Sequence, residues 1–395
     1  MEYCYLDHAA TTPMRPEAVE AMLPFLSERF ANPSGSHRFA REARRSVDEA
    51  RDVVAAAIGC RPGEVVFTGG GTEADNAAVF GAVDRRGGIP VCSAVEHHAV
   101  IASVEARHGL IVGVDGTGHV DLDALGAAVD EHTSVVSAMA VNNEVGTITD
   151  LAAVAEVVRR GAPGAVLHTD AVQAACWLDL AELWSHVDAL SLSAHKFGGP
   201  KGVGVLAVRE GTVLAPLLVG GGQERERRSG THNVGGIVAM AEALRLTVAE
   251  RDATNVRVAA LRDELVDRIV GTTAGVVETV PRDRKVAGSA HICIDGVENE
   301  ALLYLLDEAG VCATAAASCA SGAMEPSHVL AAMGVPRSLA GGALRLTLGR
   351  TTTAGDVERG AGAVVDAIVR LRCGREQVDS ETERWCGPEQ VDGAR

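Results

Sequence analysis

Apolar positions along this chain follow two periods. Residues 16–28 and 38–58 repeat them at helical spacing, and Gly59 stops the second stretch. Short apolar runs with strand character then follow at 64–68, 90–95, 110–114, 134–141, 165–170, 188–194 and 203–208. Helical patterns lie between them, one starting at Thr72 and another covering Leu151–Arg160. Short strands that are apolar on both faces and separated by helices predict an α/β fold with a mostly parallel sheet covered on both sides. Residues 236–270 read as one long helix leading into a second, smaller α/β unit over about 271–372. The last 23 residues, 373–395, are polar and carry Gly and Pro, so a tail is expected there.

Composition narrows the functional classes. The 395 residues carry a net charge of −17, which argues against nucleic-acid binding through phosphate neutralisation and against docking on anionic membranes. No run is apolar enough to span a bilayer, and the N-terminus shows no signal-peptide pattern, so a cytoplasmic protein is expected. Nine cysteines, an odd number without CxxC spacing, point to neither a disulfide framework nor a metal cluster. Cys4, Cys60, Cys92, Cys176, Cys293 and Cys312 lie in apolar contexts and read as small buried hydrophobes. Aromatic residues are only 3%, so Ala, Val and Leu must build the core. Only Lys196, Lys201 and Lys285 are lysines; since guanidinium cannot form an imine, a lysine in an organised segment is a chemical suspect.

Three segments carry that suspicion. A strand runs into Gly69-Gly70-Gly71 and a helix that Thr72 would cap, with Asp75 closing a capping box. Exposed backbone N–H groups and the helix dipole suit a phosphate there, although alone the pattern reads equally as a tight strand-to-helix turn. Asp170 ends the strand of AVLHTD, where an open α/β sheet faces its ligand crevice. Lys196 follows another strand end, in Ser193-Ala194-His195-Lys196-Phe197-Gly198-Gly199. Phosphate cradle, pyridinium partner and imine-forming amine together describe pyridoxal 5'-phosphate.

SAHKFGGPKGV, HTDAVQ, NNEVGT and YLDHAATTP resemble the NifS/IscS-type cysteine desulfurases, of the class V aminotransferase group of fold-type I pyridoxal phosphate enzymes, over about residues 5–370. The resemblance implies a large cofactor-binding domain over 14–255 with a mostly parallel seven-stranded-type sheet. A small domain would comprise 1–13 and 256–372 and carry the catalytic cysteine loop. It also implies conversion of L-cysteine to L-alanine, with sulfur held as a persulfide on Cys319 and passed to an acceptor protein. Lys196 would hold the cofactor, Asp170 the ring nitrogen, and Asn143 and Gln173 the phenolic oxygen side. His97 would stack on the ring and move protons. Gly71, Thr72, Ser193 and His195 would hold the phosphate, with Thr231 reaching the partner's phosphate in a homodimer. Asn32 and Arg345 would bind the substrate carboxylate. Cys319 lies among small residues, consistent with an accessible thiol. Another class V enzyme (an aminotransferase or selenocysteine lyase) and an idle sulfur-relay scaffold are the rival readings. Iron–sulfur assembly, tRNA thiolation and DNA phosphorothioation all remain open as destinations of the sulfur.

Overall fold

The computed structural model describes residues 3–315 and 327–385, with side chains to residue 373. Among the described residues twelve strands occur in chain order: β1 (Cys4–Tyr5), β2 (Val65–Thr68), β3 (Ile89–Ser93), β4 (Leu110–Val112), β5 (Thr133–Ser137), β6 (Val166–Asp170), β7 (Ala189–Ser193), β8 (Gly204–Val208), β9 (Val276–Glu278), β10 (Ser289–Ile294), β11 (Val311–Cys312) and β12 (Ala343–Thr347). Strands β2 to β8 form one sheet in the order β2-β8-β7-β6-β5-β3-β4. All its neighbours are parallel except at β8, which is antiparallel to both β2 and β7. Reversal of β8 points β2, β6 and β7 the same way, so Thr68, Asp170 and Ser193 end at one edge.

Alternation sorts the side chains of each strand between two layers. Val135 and Val166 pack with Ala74, Ala78 and Ala82 of helix Gly71–Arg86, while Val136 and Leu167 face the larger core on the other side. Alanine on the helix face keeps that contact close, as a chain poor in aromatics requires.

A second core surrounds the antiparallel sheet β12-β10-β9 and the pair β1-β11. Helix Val234–Thr272 serves both cores: Ile237, Met240 and Leu244 lie in the first, Val258, Leu265 and Ile269 in the second. The N-terminal segment returns to this second core. Cys4 pairs with Val311, and Leu6 accepts the Thr347 N–H at 2.7 Å.

Three readings of the pattern are corrected. The helix expected over 16–28 is broken at Leu23–Pro24 into Pro16–Met22 and Pro24–Ser27, because proline suits a helix start and not its interior. The tail expected from 373 is helical to Trp385, as a continuation of a helix that begins at Ala354; its Arg- and Glu-rich sequence favours helix in spite of its polarity. Of the six cysteines expected to be buried, Cys4, Cys92 and Cys293 are, and Cys60, Cys176 and Cys312 are half-buried. Among the described residues no helix is long and apolar enough to cross a membrane, and no cluster could hold a metal ion.

Candidate active site

The three strand ends open on a cleft of about 280 Å³. Its walls bring together Gly71, Thr72, His97, Asn143, Asp170, Gln173, Ser193, His195, Lys196 and Arg345. Thr231 and Asn32 are exposed elsewhere on the chain and line no part of it. Cys319 lies outside the described residues.

Gly70, not Thr72, occupies the cap of the glycine turn, with φ 149°. Glycine adopts that backbone freely and leaves the first N–H groups of the helix unpaired toward the cleft. A Cβ on Gly71 would lie 2.7 Å from Val172 Cγ2 and 3.4 Å from Ser193 Cβ, so only glycine keeps this cradle open. Asp75 closes no capping box. It is buried and lines the cleft, and burial, followed by the charge of Asp170, pushes its carboxyl well up, against the hydrogen bond to Ser191.

Asp170 Oδ1 accepts the Val172 N–H at 2.8 Å. Burial raises its carboxyl, opposed by that hydrogen bond and by His97 and Lys196. Lys196 Nζ donates to the carbonyls of Ala9 at 2.5 Å and Ala10 at 2.9 Å. Burial, followed by the charge of Arg345, lowers its amine to about 8, so an appreciable fraction is nucleophilic near neutrality. Gln173 Nε2 donates to the same Ala9 carbonyl at 2.8 Å. His97 caps helix His98–Glu105, its Nδ1 accepting the Ala99 N–H at 3.1 Å. In the neutral ring, favoured by enclosure in the cleft, this leaves the proton on Nε2. His195 Nδ1 pairs with Thr11 Oγ1 at 3.1 Å, and burial drops the ring to about 4.

Arg345 is fixed on two sides. One terminal nitrogen donates to the Asn143 carbonyl and the other to Asp7 Oδ1, both at 2.8 Å. Behind His97, Glu96 is buried and pushed to about 8; its Oε1 accepts Ser93 Oγ at 2.6 Å and the Met139 N–H at 2.8 Å.

Sequence reasoning missed Asp7 and the Ala9 and Ala10 carbonyls as parts of the site, although all three lie in YLDHAATTP. It also missed Asp75 as a wall of the cleft. The buried amine, the acid at a strand end and the glycine cradle fit pyridoxal phosphate, which needs each of them.

The family model for class V aminotransferases matches residues 4–359. The chain is 40% identical over 376 residues to a protein named cysteine desulfurase IscS from Dictyoglomus turgidum, covering 93% of this chain and 95% of that one. Among solved structures, one titled "NIFS-LIKE PROTEIN" superposes with a TM-score of 0.87 at 32% identity, covering 93% of this chain and all of the other. Another, titled "SspA in complex with cysteine", gives 0.75 at 29% identity, covering 87% of this chain and 98% of the other.

Proposed function

This chain belongs to the class V aminotransferases and is a cysteine desulfurase, and from that premise we propose how its residues divide the work. The observation that carries the reading is the convergence of Lys196, Asp170 and the Gly71 cradle on one cleft with Arg345 on its wall.

Pyridoxal phosphate, when bound, supplies an electron sink for the bond broken at the substrate Cα. Gly71, Thr72, Ser193 and His195 would hold its phosphate, and Asp170 its ring nitrogen. A cationic ring nitrogen would add to the charge of Lys196 in holding buried Asp170 as a carboxylate. Asn143 and Gln173 would hold the phenolic oxygen side, and Lys196 would carry the cofactor. Arg345 binds the cysteine carboxylate through its guanidinium fork, kept in place by Asp7 and the Asn143 carbonyl. Lys196 takes the Cα proton, and His97 moves a proton at Nε2. The Cys319 thiolate attacks the substrate sulfur. A sulfur–sulfur bond forms, the Cβ–sulfur bond breaks, and its electron pair stays on carbon, where protonation completes L-alanine.

We further propose a division into 14–255 and 1–13 with 256–372, since the two cores change over within helix Val234–Thr272. A homodimer is proposed as well. Leu23, Leu26, Phe30 and Val219 are exposed apolar side chains suited to a partner's surface. In such a dimer Thr231 would reach the partner's phosphate, and Asn32 the substrate. The described cysteines are all unpaired, which fits a reducing cytoplasm. The acceptor of the sulfur is an unidentified protein.

The test is Cys319→Ser. Cofactor binding should survive while alanine formation from cysteine falls by orders of magnitude, and mass spectrometry of the wild type after one turnover should find the persulfide on Cys319. Persulfide on Cys312 or Cys373, with activity retained in the variant, would overturn this reading.

A further inference from the structure

Against the cofactor cleft, with Ala9, Asn143, Val172, Gln173 and Lys196 as common walls, lies a second hollow of about 60 Å³ between the two cores. By the usual requirement of roughly 10–15 Å³ per water it has room for about four waters or one small ion. Its walls include three guanidinium groups, those of Arg15, Arg251 and Arg350, and among the described residues they include no Asp or Glu. Composition does not explain this, since the chain has 53 acidic residues against 36 basic ones.

The three arginines are unevenly neutralised. Arg251 lies 3.4 Å from Asp252 and 3.7 Å from Asp179, both outside the cavity wall. Arg15 is buried and paired with Glu250 at 2.9 Å through one terminal nitrogen, but its Nε has no partner. Arg350 is half-buried and forms no ion pair or side-chain hydrogen bond among the described residues. Ser289, also on the wall and buried, has an unpartnered hydroxyl. The positive field reaches the other wall residues: Arg15 and Arg350 both pull the Cys176 thiol down against the burial that raises it. At His8, which burial drops to about 4, the charge of Asp356 outweighs that of Arg350. Cationic groups in a low-dielectric enclosure call for a countercharge, and an unmatched hydrogen-bond donor there costs free energy.

We propose that this cavity is a binding site for a small monovalent inorganic anion, held between Arg15 and Arg350 with Ser289 as a hydroxyl donor. An ion of halide size with a few waters beside it fills the volume. Two sources share that chemistry: chloride from the solvent, and hydrosulfide set free when an enzyme persulfide is reduced.

Bromide is the probe. Crystals of the cofactor-loaded enzyme soaked in bromide should show an anomalous peak between Arg15 and Arg350. In solution, bromide should quench Trp177, which lines the cavity, in a saturable manner. Arg350→Lys should keep the site, and Arg350→Gln should weaken bromide by roughly tenfold to a hundredfold, the range of one charge-assisted hydrogen bond. Titrating hydrosulfide or chloride against bound bromide then tells which source occupies the site; displacement by either supports the proposal. A map without the peak would overturn it, as would quenching that rises linearly with equal slope in wild type and Arg350→Gln. Should Arg350→Gln fail to fold, Ser289→Ala provides the same comparison. None of these readouts depends on desulfurase turnover, so the site and the catalytic reading fail separately.

Discussion

Replacing Glu224 by Gln tests how the loop before Thr231 is held. Glu224, Arg225 and Glu226 all have positive φ, at 50°, 55° and 65°, and none is glycine. Such residues persist only where surrounding contacts over-determine them. Here the contacts converge on one carboxylate. Glu224 is buried and accepts Arg51 from two nitrogens at 2.8 and 2.5 Å, the Phe67 N–H at 3.0 Å, and His232 Nε2 at 2.8 Å. Burial alone would raise its carboxyl, but the His232 and Arg51 hydrogen bonds, the Arg51 charge and the Phe67 N–H outweigh it and hold it at about 2, against an ordinary 4.5. At roughly 1.4 kcal/mol per pH unit, that difference corresponds to about 3 kcal/mol. The figure agrees with the roughly 3–5 kcal/mol cost of breaking a buried pair. Because the folded pKa is depressed, the contribution is complete above pH 4.5 and is lost as pH falls toward 2. Urea unfolding at pH 7 should therefore show Glu224→Gln destabilised by about 3 kcal/mol. The gap between wild type and variant should close between pH 4.5 and 2. A loss under about 1 kcal/mol at pH 7 would refute the reasoning, as would a gap that does not change with pH.

Three further outcomes are expected. In cofactor-free protein, labelling of Lys196 by pyridoxal phosphate and borohydride should rise with pH to a midpoint near 8; a midpoint at the ordinary 10.5 would contradict the burial argument. Because burial and the charge of Asp170 push the Asp75 carboxyl well up, Asp75→Asn should leave cofactor affinity within about twofold by fluorescence titration, whereas a large loss would show that the carboxylate is ionised. Arg345→Gln should lower kcat/KM for cysteine by roughly tenfold to a hundredfold with the cofactor's visible band intact; an unchanged kcat/KM would remove Arg345 from substrate binding.

Strand ends were legible in the sequence at Thr68, before the glycines, and at Asp170, whereas the runs read over 110–114 and 134–141 outlast their strands, which end at Val112 and Ser137. Three short helices, His98–Glu105, Leu122–Ala128 and Leu180–His186, were not legible. Each has seven or eight residues, too few to show a helical period, and depends on tertiary packing. Their caps, His97, Asp121 and Asp179, were the signal available. Asp75 was misread because its spacing from Thr72 suits a capping box. What decides its role is the neighbourhood of Asp170 and Ser191, on strands about a hundred residues away. The anchoring of Arg345 by Asp7 joins positions 338 apart, and no local pattern reports a contact at that separation.

The N-terminal segment also sets an order of assembly. Residues Cys4 to Ala10 are made more than 300 residues before their partners, since Cys4 pairs with Val311 and the Leu6 carbonyl with Thr347. The carbonyls that hold Lys196 are carried by that same segment. Helix and sheet formation around the first core can therefore run ahead while the opening residues wait as an unplaced strand. Catalytic competence should appear only after Thr347 has emerged, and in refolding it should trail the recovery of secondary structure, as contacts between distant parts of a chain do.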